Sequence, residues 1–471
     1  MTETASATVG PRDLAADDHR YLWHPFTQAE EWNSHDPLIV ERAEGFHLVD
    51  TDGRRYLDGV SSIWCNVHGH GHPRITAAMK EQLDRVSHST MLGLSHVPAI
   101  ELARRLVEIT PEALTRVFYS DSGSTAVEVA LRTAFQYWRQ RGQQQRNRFV
   151  TLAEAYHGDT MGSVSLGFSE PFHRGYGAIT FEVFKFDPPW MCEPINEGSG
   201  EQAVVAGIET PALEAAGAAS LGQLEKLLAE KGESIAAVVI EPLVQGAAGI
   251  WPQPPSFVRG VRELCDRYGT LMVCDEVATG FGRTGSMFAV EQAGVCPDIM
   301  CLAKGLTAGY LPLAVTLATE QIFDAFRGRY SDYKALFHGH TYGGNPLGCA
   351  TALANLDVFE EENTVETGTA RGHLMGELLA EHVAPLAHTA ALRRVGTMAA
   401  FEILKDPDSG LRFAPDERRA YRAVLEARKR GVIIRPLGDT MVLMPPPALP
   451  ETLMRELVTA TAESVAAATA G

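Results

Sequence analysis

A carboxylate and an amine follow two short apolar runs in the middle of the chain. Asp275 comes directly after Leu271–Cys274, and Lys304 comes directly after Ile299–Ala303. Apolar runs of four or five residues between turn residues are typical of strands that a parallel sheet buries on both faces. Open α/β sheets bind ligands at the carboxyl ends of such strands. Both side chains are therefore predicted to lie at a ligand site, where a buried charge needs a partner or a chemical task.

Two interpretations of this pair differ in their chemistry. In the first, Lys304 is an exposed loop lysine and Asp275 caps a helix. In the second, a desolvated Lys304 with a lowered pKa is a nucleophile that forms a Schiff base with pyridoxal phosphate. Asp275 then holds the pyridine nitrogen protonated, which makes the ring an electron sink. The position at strand ends favours the second interpretation without deciding between the two.

Two further segments follow strand ends and suit a flat, phosphorylated ligand. Residues 120–138 (SDSGSTAVEVALRTAFQYW) place small residues before a helix, where free backbone N–H groups can hold a phosphate. Thr125 with Glu128 fits a capping box at this point, and an ordinary strand–helix turn explains the segment equally well. Tyr156 and His157, in YHGDT, could stack beside a ring, or they could be core aromatics.

Dinucleotide and metal sites are disfavoured by the placement of their motifs. GFGRTG at 280–285 does not follow its strand directly, and the acidic residue Asp298 comes too early for a nicotinamide-binding fingerprint. The histidine clusters at 68–72 and 338–340 alternate with glycine and lack the HExxH spacing of a zinc site. We therefore expect no metal, and we interpret these histidines as loop residues near an anionic ligand.

The composition limits the class of protein. A chain of 471 residues with 45% hydrophobic and 21% charged residues is typical of a globular protein with more than one domain. A net charge of −18 argues against nucleic acid or an anionic membrane as a partner. Seven scattered cysteines without a CxxC pair indicate reduced thiols in a cytoplasm. The first residues lack a signal peptide's apolar region, and no apolar run is long enough to span a membrane.

Strands and helices alternate from Phe149 to Val315, which predicts an α/β fold with a mostly parallel sheet. A hairpin is expected within 38–60 around Asp52-Gly53, a helix across 416–430, and one strand near 392–403. Residues 187–222 show no clear period and are expected to be irregular. The predicted parts are a loose N-terminal arm at 1–20, a large domain at 74–344, and a small α+β domain built from 21–73 and 345–471.

Taken together, these segments resemble the class III, fold-type I pyridoxal-phosphate aminotransferases. The resemblance extends from Leu22 to about Pro447, and its most specific part is DEVATGFGRTG with AKGLTAGYLPLAV. LWHPFTQ, SSIWCNVHGHGHP, HGHTYGGNPLGCA and RPLGD are similar to the 8-amino-7-oxononanoate aminotransferases of biotin synthesis. The resemblance implies a keto acceptor and an amino donor, ping-pong exchange through pyridoxamine phosphate, and a homodimer with shared active sites.

The resemblance also assigns roles to particular residues. Lys304, Asp275 and Tyr156 are expected to be catalytic. Lys304 would move the proton, and Thr341 would reach the phosphate across the dimer interface. The expected cofactor-binding residues are Gly123, Ser124, Tyr156, His157, Asp275, Val277, Lys304, His340 and Thr341. The expected substrate-binding residues are Phe26, Ile63, Trp64, Tyr156, Lys304, Gly339 and Arg435, with Arg435 gripping the substrate carboxylate.

Departures from other members of the family leave the amino donor open. Many members have tyrosine at the position of Phe26 and a Trp-Trp pair at the position of Ile63-Trp64. Those aromatic residues shape a pocket for S-adenosylmethionine, whereas a branch with the phenylalanine, one tryptophan and RPLGD resembles enzymes that use lysine. The alternative function is that of another class III ω-aminotransferase, acting on amines or 4-aminobutyrate.

Overall fold

Seven strands of the central part of the chain form one sheet. The computed structural model describes residues 13–192 and 208–470. Its strands are β1 (Val40–Glu44), β2 (His47–Asp50), β3 (Arg55–Asp58), β4 (Leu114–Ser120), β5 (Arg148–Leu152), β6 (Phe184–Phe186), β7 (Ile235–Ile240), β8 (Val244–Gln245), β9 (Trp251–Pro252), β10 (Leu271–Asp275), β11 (Ile299–Leu302), β12 (Ala314–Thr319), β13 (Thr389–Val395), β14 (Met398–Ile403), β15 (Val432–Ile433), β16 (Arg435–Leu437) and β17 (Thr440–Leu443).

The seven-stranded sheet has the order β4-β12-β11-β10-β7-β5-β6. Strands β11, β10, β7, β5 and β6 are parallel, and β12 runs antiparallel to both of its neighbours. The predicted mostly parallel sheet is confirmed. Because parallel strands end at the same edge, the residues that follow β7, β10 and β11 meet there.

Helices cover this sheet and build the rest of the chain. They are α1 (Leu14–Tyr21), α2 (Ala29–Trp32), α3 (Ser61–Trp64), α4 (Pro73–Arg85), α5 (Val97–Ile109), α6 (Gly123–Gln140), α7 (Met161–Leu166), α8 (Glu170–His173), α9 (Pro189–Cys192), α10 (Pro211–Lys231), α11 (Pro255–Tyr268), α12 (Ala289–Ala293), α13 (Glu320–Ala325), α14 (Pro346–Glu361), α15 (Thr364–His382), α16 (Arg419–Lys429) and α17 (Glu451–Thr469). Within the described ranges, no helix is long and apolar enough to cross a membrane.

The central strands are apolar throughout because helices pack on both of their faces. Val238, Met272 and Met300 belong to the hydrophobic cluster on one face. Val239 and Val273 belong to the cluster on the other face. Alternate residues of one strand therefore enter different cores, which explains why the sequence shows continuous apolar runs instead of an alternating pattern.

The two chain ends meet in a second region. Strand β3 pairs in parallel with β15, so Leu57 lies opposite Val432. The Arg283 guanidinium is fully buried and donates to the carbonyls of Asn66 at 2.7 Å and Pro445 at 2.6 Å. One side chain of the central part thus holds both ends. We propose that residues 74–344 form the large domain and that the ends, 21–73 and 345–471, form the small one.

Several expectations for local structure need correction. The loose arm predicted at 1–20 is helical in α1, which Asp13 caps, and residues 1–12 lie outside the described residues. The irregular segment predicted at 187–222 contains the start of α10, which Thr210 caps at Leu213 N, while residues 193–207 are not described. The single strand expected near 392–403 is the hairpin β13–β14. The predicted hairpin around Asp52-Gly53 is confirmed by the antiparallel pairing of β2 with β3.

Candidate active site

Three parallel strands end at one cavity of about 710 Å³. Glu241 follows β7, Asp275 is the last residue of β10, and Lys304 follows β11 after one residue. All three side chains line the cavity. The parallel register, in which Asp275 lies opposite Cys301, places the carboxylate and the amine on adjacent strands at the same edge. The short apolar strands therefore act as a scaffold that brings these charges together.

Lys304 lies on strained backbone. It begins a 3-10 turn, Lys304–Thr307, with φ of +42°, in the left-handed region that residues with a Cβ rarely adopt. Its Nζ lies 5.0 Å from the centre of the Trp64 ring. Burial lowers the pKa of Lys304, although Asp275 and Glu241 act in the opposite direction. A lysine with a lowered pKa has a larger neutral fraction near neutral pH, and the neutral amine is the nucleophilic form.

Asp275 is buried, and its carboxylate is held by two donors. His157 Nδ1 lies 2.8 Å from Asp275 Oδ2, and the backbone N–H of Val277 donates to Oδ1 at 3.0 Å. His157 is itself buried, and its Nε2 lies 3.3 Å from the hydroxyl oxygen of Thr151. These contacts fix the carboxylate in one orientation at the cavity.

Glu241 is a second buried carboxylate in the same cavity. It accepts hydrogen bonds from the backbone N–H groups of Gly246 at 2.9 Å and Tyr156 at 3.3 Å. Burial raises its pKa to about 7, with a further contribution from the Asp275 charge, while His157 and the two N–H donors act against the rise. Glu241 thus joins the loop after β5 to the β8–β9 hairpin.

The N-terminus of α6 forms one side of the cavity. Ser122 caps the helix, and a Cβ at Gly123 would lie 2.5 Å from Val277 Cγ1, so this close approach requires glycine. Ser124 Oγ lies 2.8 Å from Thr160 Oγ1. The first N–H groups of a helix have no acceptor within it, so this end can bind an anion.

The prediction of a capping box between Thr125 and Glu128 is wrong, because Thr125 pairs with Ser122. Ser122 and Thr125 cap α6 reciprocally, with the Ser122 side chain accepting from Thr125 N. Glu128 instead accepts from the N–H of Gly162 at 2.6 Å and thereby anchors α7.

Trp64 enters the cavity from the bent segment α3. Ser61, Ser62 and Trp64 all have positive φ, and the buried Asp58 stabilises the bend by accepting from the N–H of Ser62 at 2.7 Å and from its hydroxyl at 3.1 Å. His70 Nε2 lies 3.1 Å from the same carboxylate. The hydrogen bonds to Asp58 thus stabilise the strained backbone of this segment.

Tyr156 lies half-buried on the wall of the cavity. Its hydroxyl donates to Asp159 Oδ2 at 2.9 Å. Burial, followed by the charge of Asp159, raises the pKa of this phenol. The ring therefore stays neutral and can present an apolar face to a ligand.

The structure divides the predicted site residues into two groups. The first group lines the cavity: Trp64, Gly123, Ser124, Tyr156, His157, Asp275, Val277 and Lys304. The second group is exposed on the same chain and does not line this cavity: Phe26, Ile63, Gly339, His340, Thr341 and Arg435. Two of these adjoin the lining: Ile63 directly precedes Trp64, and His340 Nδ1 lies 2.7 Å from Asp121 Oδ2.

Sequence reasoning missed several residues of the cavity wall. They include Cys65, Asp121, Ser122, Gly158, Asp159, Thr160, Ala247, Ala278, Thr307 and the segment 309–313. Most of them lie inside the quoted motifs, so membership of those motifs was the available signal. Ala247 is the exception, because its hairpin follows β7 without any chemically distinctive residue.

Two histidines of the first cluster are held by hydrogen bonds away from the cavity. His68 is buried with Nε2 at 2.9 Å from Asn355 Oδ1, and His72 Nε2 lies 3.0 Å from Glu362 Oε1. Neither lines the cavity. In the part of the chain that the structure describes, no group of three or more His, Cys, Asp or Glu side chains is arranged to hold a metal ion.

Comparison with known proteins identifies the family. The model of the family "Aminotransferase class-III" matches residues 28–464. The chain belongs to the class-III aminotransferases. These enzymes depend on pyridoxal phosphate, and a cavity with a lysine and a buried carboxylate at adjacent strand ends suits that cofactor.

Relatives and solved structures agree with this assignment. The chain is 53% identical to the adenosylmethionine-8-amino-7-oxononanoate aminotransferase of Nitratidesulfovibrio vulgaris, over 96% of this chain and 81% of that protein. It is 48% identical to the Aquifex aeolicus protein of the same name, over 96% of each. The crystal structure of the Methanocaldococcus jannaschii protein of that name superposes with a TM-score of 0.88 at 38% identity, covering 96% of this chain and 98% of that one. An amine transaminase from an uncultivated Pseudomonas species, solved with pyridoxal phosphate bound, gives 0.86 at 35% identity, with 95% and 98% covered.

Proposed function

We propose that this class-III aminotransferase converts 8-amino-7-oxononanoate to 7,8-diaminononanoate in biotin synthesis. The observation that carries the proposal is the name shared by relatives that are 40–53% identical over most of the chain. We propose the cytoplasm as its location, because the buried cysteines Cys265, Cys274, Cys301 and Cys349 are free thiols, as is usual in a reducing compartment.

The residues of the cavity fit the parts of the cofactor. Ser122–Ser124 and Thr160, at the start of α6 and α7, would hold the phosphate. Asp275 would meet the ring nitrogen, and Val277 and Tyr156 would border the ring. When bound, pyridoxal phosphate supplies an electron sink for the carbon that carries the amino group.

Lys304 and its neighbours provide the acid–base chemistry. The lowered pKa of Lys304 lets its amine accept a proton from a substrate carbon near neutral pH and return it to a neighbouring atom. The Trp64 ring, 5.0 Å away, covers the amine and limits the approach of water. Asp275 stabilises positive charge on the ring nitrogen, because His157 and the Val277 N–H keep its carboxylate in place.

Substrate binding requires residues outside the single-chain cavity. Arg435 is exposed on β16, and we propose that its guanidinium binds the substrate carboxylate through two parallel hydrogen bonds. Thr341 is also exposed, and we propose that a second copy of the chain places it at the phosphate of this one. Gly339, likewise exposed, is proposed to contact the substrate. Exposed aromatic side chains nearby, Phe337 at 69% and Tyr342 at 63%, support a homodimer.

The amino donor is proposed to be S-adenosylmethionine or lysine. Phe26, 59% exposed, and Ile63, 49% exposed, lack the hydroxyl and the indole found at these positions in many members of the family. This difference favours lysine, an aliphatic amine that does not need an aromatic surface. The names of the relatives favour adenosylmethionine.

A second function is favoured by other structural neighbours. An (S)-enantioselective ω-transaminase from Thermomicrobium roseum superposes with a TM-score of 0.89 at 32% identity, covering 99% of this chain and all of that one. The fold thus also suits transfer from simple amines, and 4-aminobutyrate is a further candidate substrate.

Half-reactions distinguish these possibilities. The purified holoenzyme is mixed separately with lysine, S-adenosylmethionine, a simple amine and 4-aminobutyrate, and the cofactor spectrum is recorded. The aminated enzyme is then mixed with 8-amino-7-oxononanoate, which we expect to restore the original spectrum. Arg435→Lys should raise KM for this acceptor by roughly tenfold, the effect of losing a two-point contact. Failure of the acceptor to restore the spectrum, with ready reaction of the simple amine, would instead support the second function.

A further inference from the structure

At the rim of the cavity, one hydrogen bond holds the loop that contains His340 and Thr341. His340 Nδ1 lies 2.7 Å from Asp121 Oδ2, with 36% and 34% of the two side chains exposed. Asp121 lines the cavity and directly precedes the phosphate seat Ser122–Ser124. Its other oxygen, Oδ1, is buried and has no hydrogen-bond partner among residues 13–192 and 208–470. The contact with His340 is therefore the one that fixes this carboxylate.

The same loop is held again just beyond Thr341. The N–H of Gly343 donates to the His340 carbonyl at 3.2 Å, which closes a turn around Thr341. A Cβ on Gly343 would lie 3.1 Å from the carbonyl oxygen of Tyr119, at the end of β4. Thr341 itself is exposed. The backbone on both sides of this threonine is thus fixed while its side chain stays available.

We propose that Asp121 is a positioning residue that, through His340, places Thr341 for the phosphate of the cofactor in a second copy of the chain. The inference rests on the homodimer of the proposed function. The proposal adds a link between the two phosphate sites of the dimer. In each chain, Asp121 adjoins that chain's own phosphate site, and Thr341 reaches the phosphate site of the partner.

The bond to Asp121 is suited to holding the loop in place. His340 donates to the Asp121 carboxylate when its Nδ1 carries a proton, and a hydrogen bond to a carboxylate is stronger than one between neutral groups. Loss of this bond should free the loop and speed release of the cofactor by roughly tenfold.

Mixed dimers test the proposal, because they separate the two chains of one site. Two differently tagged chains are co-expressed, and the dimers that carry both tags are purified with pyridoxal phosphate bound. In the first dimer, one chain carries Lys304→Ala with His340→Gln, and the other is wild type. In the second dimer, one chain carries Lys304→Ala alone, and the other carries His340→Gln. Each dimer then has a single site with Lys304, and the release of its cofactor is followed by absorbance after dilution.

The first dimer should release the cofactor roughly tenfold faster than the second, since only there does the intact site receive Thr341 from the altered loop. Equal rates in the two dimers, or faster release in the second, would overturn the proposal. Asp121→Ala in place of His340→Gln should give the same pattern. Combining Asp121→Ala and His340→Gln in one chain should add nothing further if they act through one bond.

His338→Gln is the matched control. This residue lies two positions earlier in the same loop, where its ring stacks on Phe118 with centroids 6.1 Å apart and packs edge-on against the His340 ring with centroids 5.0 Å apart. The variant therefore removes a packing contact of His340 while keeping the hydrogen bond of His340 to Asp121. Release should stay at the wild-type rate in both dimers. Equally fast release with this control would show that any change to the loop suffices and would overturn the role of Asp121. A protein that sediments as a single chain would overturn it too, while the choice of acceptor is tested independently by the half-reactions.

Discussion

His157 bridges Asp275 and Thr151, because each of its ring nitrogens faces an oxygen of one of these two residues. The Thr151 hydroxyl donates its hydrogen to the carbonyl of Val239 at 3.0 Å, so its oxygen can only accept from His157 Nε2 at 3.3 Å. Nδ1 donates to the Asp275 carboxylate at 2.8 Å. This contact holds the Asp275 carboxylate in the orientation that the proposed partner of the ring nitrogen needs.

Asp275→Asn should therefore lose most activity while the protein still folds. A neutral amide cannot stabilise positive charge on the ring nitrogen, and we expect kcat to fall by roughly a thousandfold or more. His157→Gln, which keeps a donor but no charge, should cause a smaller loss. Steady-state kinetics with either donor measure both effects. Activity of the Asp275 variant within about threefold of wild type, under 1 kcal/mol of barrier, would contradict the assignment.

Lys304→Ala should abolish turnover without unfolding the protein. The substitution removes the amine that moves the proton, and it also removes a buried polar group whose desolvation is costly, so stability should not fall. Borohydride treatment of the holoenzyme followed by peptide mapping should find the cofactor fixed to Lys304. The exposed Lys405 provides the control, and Lys405→Ala should keep full activity. Fixation of the cofactor on another lysine in the Lys304 variant, with turnover retained, would show that the site is elsewhere.

Glu241→Gln should change how stability depends on pH. Burial raises the pKa of Glu241 from 4.5 to about 7, so the folded protein binds this proton more tightly than the unfolded chain. The contribution of this proton to the free energy of unfolding is therefore fully present below about pH 4.5 and is lost as pH rises to about 7. The difference in unfolding free energy between wild type and variant should shrink by up to about 3 kcal/mol across that window.

Chemical denaturation at a fixed protein concentration measures this difference at several pH values. Glu276, whose pKa burial also raises to about 7, stays in the variant, so the wild-type slope should decrease without disappearing. The exposed Glu230 serves as the control, and Glu230→Gln should leave the pH dependence unchanged. An unchanged slope in the Glu241 variant would show that this carboxyl titrates normally.

Phe26→Tyr combined with Ile63→Trp should raise the efficiency with S-adenosylmethionine relative to lysine. The tyrosine restores a hydrogen-bond donor and the indole restores a stacking surface, together worth roughly 1–3 kcal/mol. Both side chains are exposed, so neither substitution should disturb the core. Comparing kcat/KM for both donors in wild type and variant decides the question. Strong preference of the wild type for S-adenosylmethionine would mean that these two positions do not set donor choice.

The parts of the fold that depend on local pattern could be predicted from the sequence. The apolar runs before Asp275 and Lys304 gave their strands, and the parallel order followed from strand–helix alternation. The wall formed by Ala247 could not be predicted, because its position depends on how the β8–β9 hairpin folds back onto Glu241, five residues before Gly246, and the hairpin carries no sequence signal for that contact. Helix α10 was missed because its many alanines and small residues form no clear apolar stripe.

The exposed site residues could not be placed from the sequence for a different reason. Phe26, Thr341 and Arg435 were assigned by resemblance alone, and a single chain does not bring them to the cavity lining. Their local sequence carries no periodic signal, since they lie in loops or on a short edge strand. In the proposed homodimer, Thr341 is placed by contacts between copies of the chain, which pattern and propensity do not encode.

The pairing of Leu57 with Val432 has a consequence for how the protein is made. A ribosome releases β3 early and β15 only near the end of synthesis, so the first strands must wait for almost the whole chain before their sheet is complete. During that interval the edge of β3 lacks its partner strand. Early folding must therefore belong to the central sheet, whose strands have all been synthesised by Thr319, and a nascent chain stalled before Gly431 should be a client for chaperones.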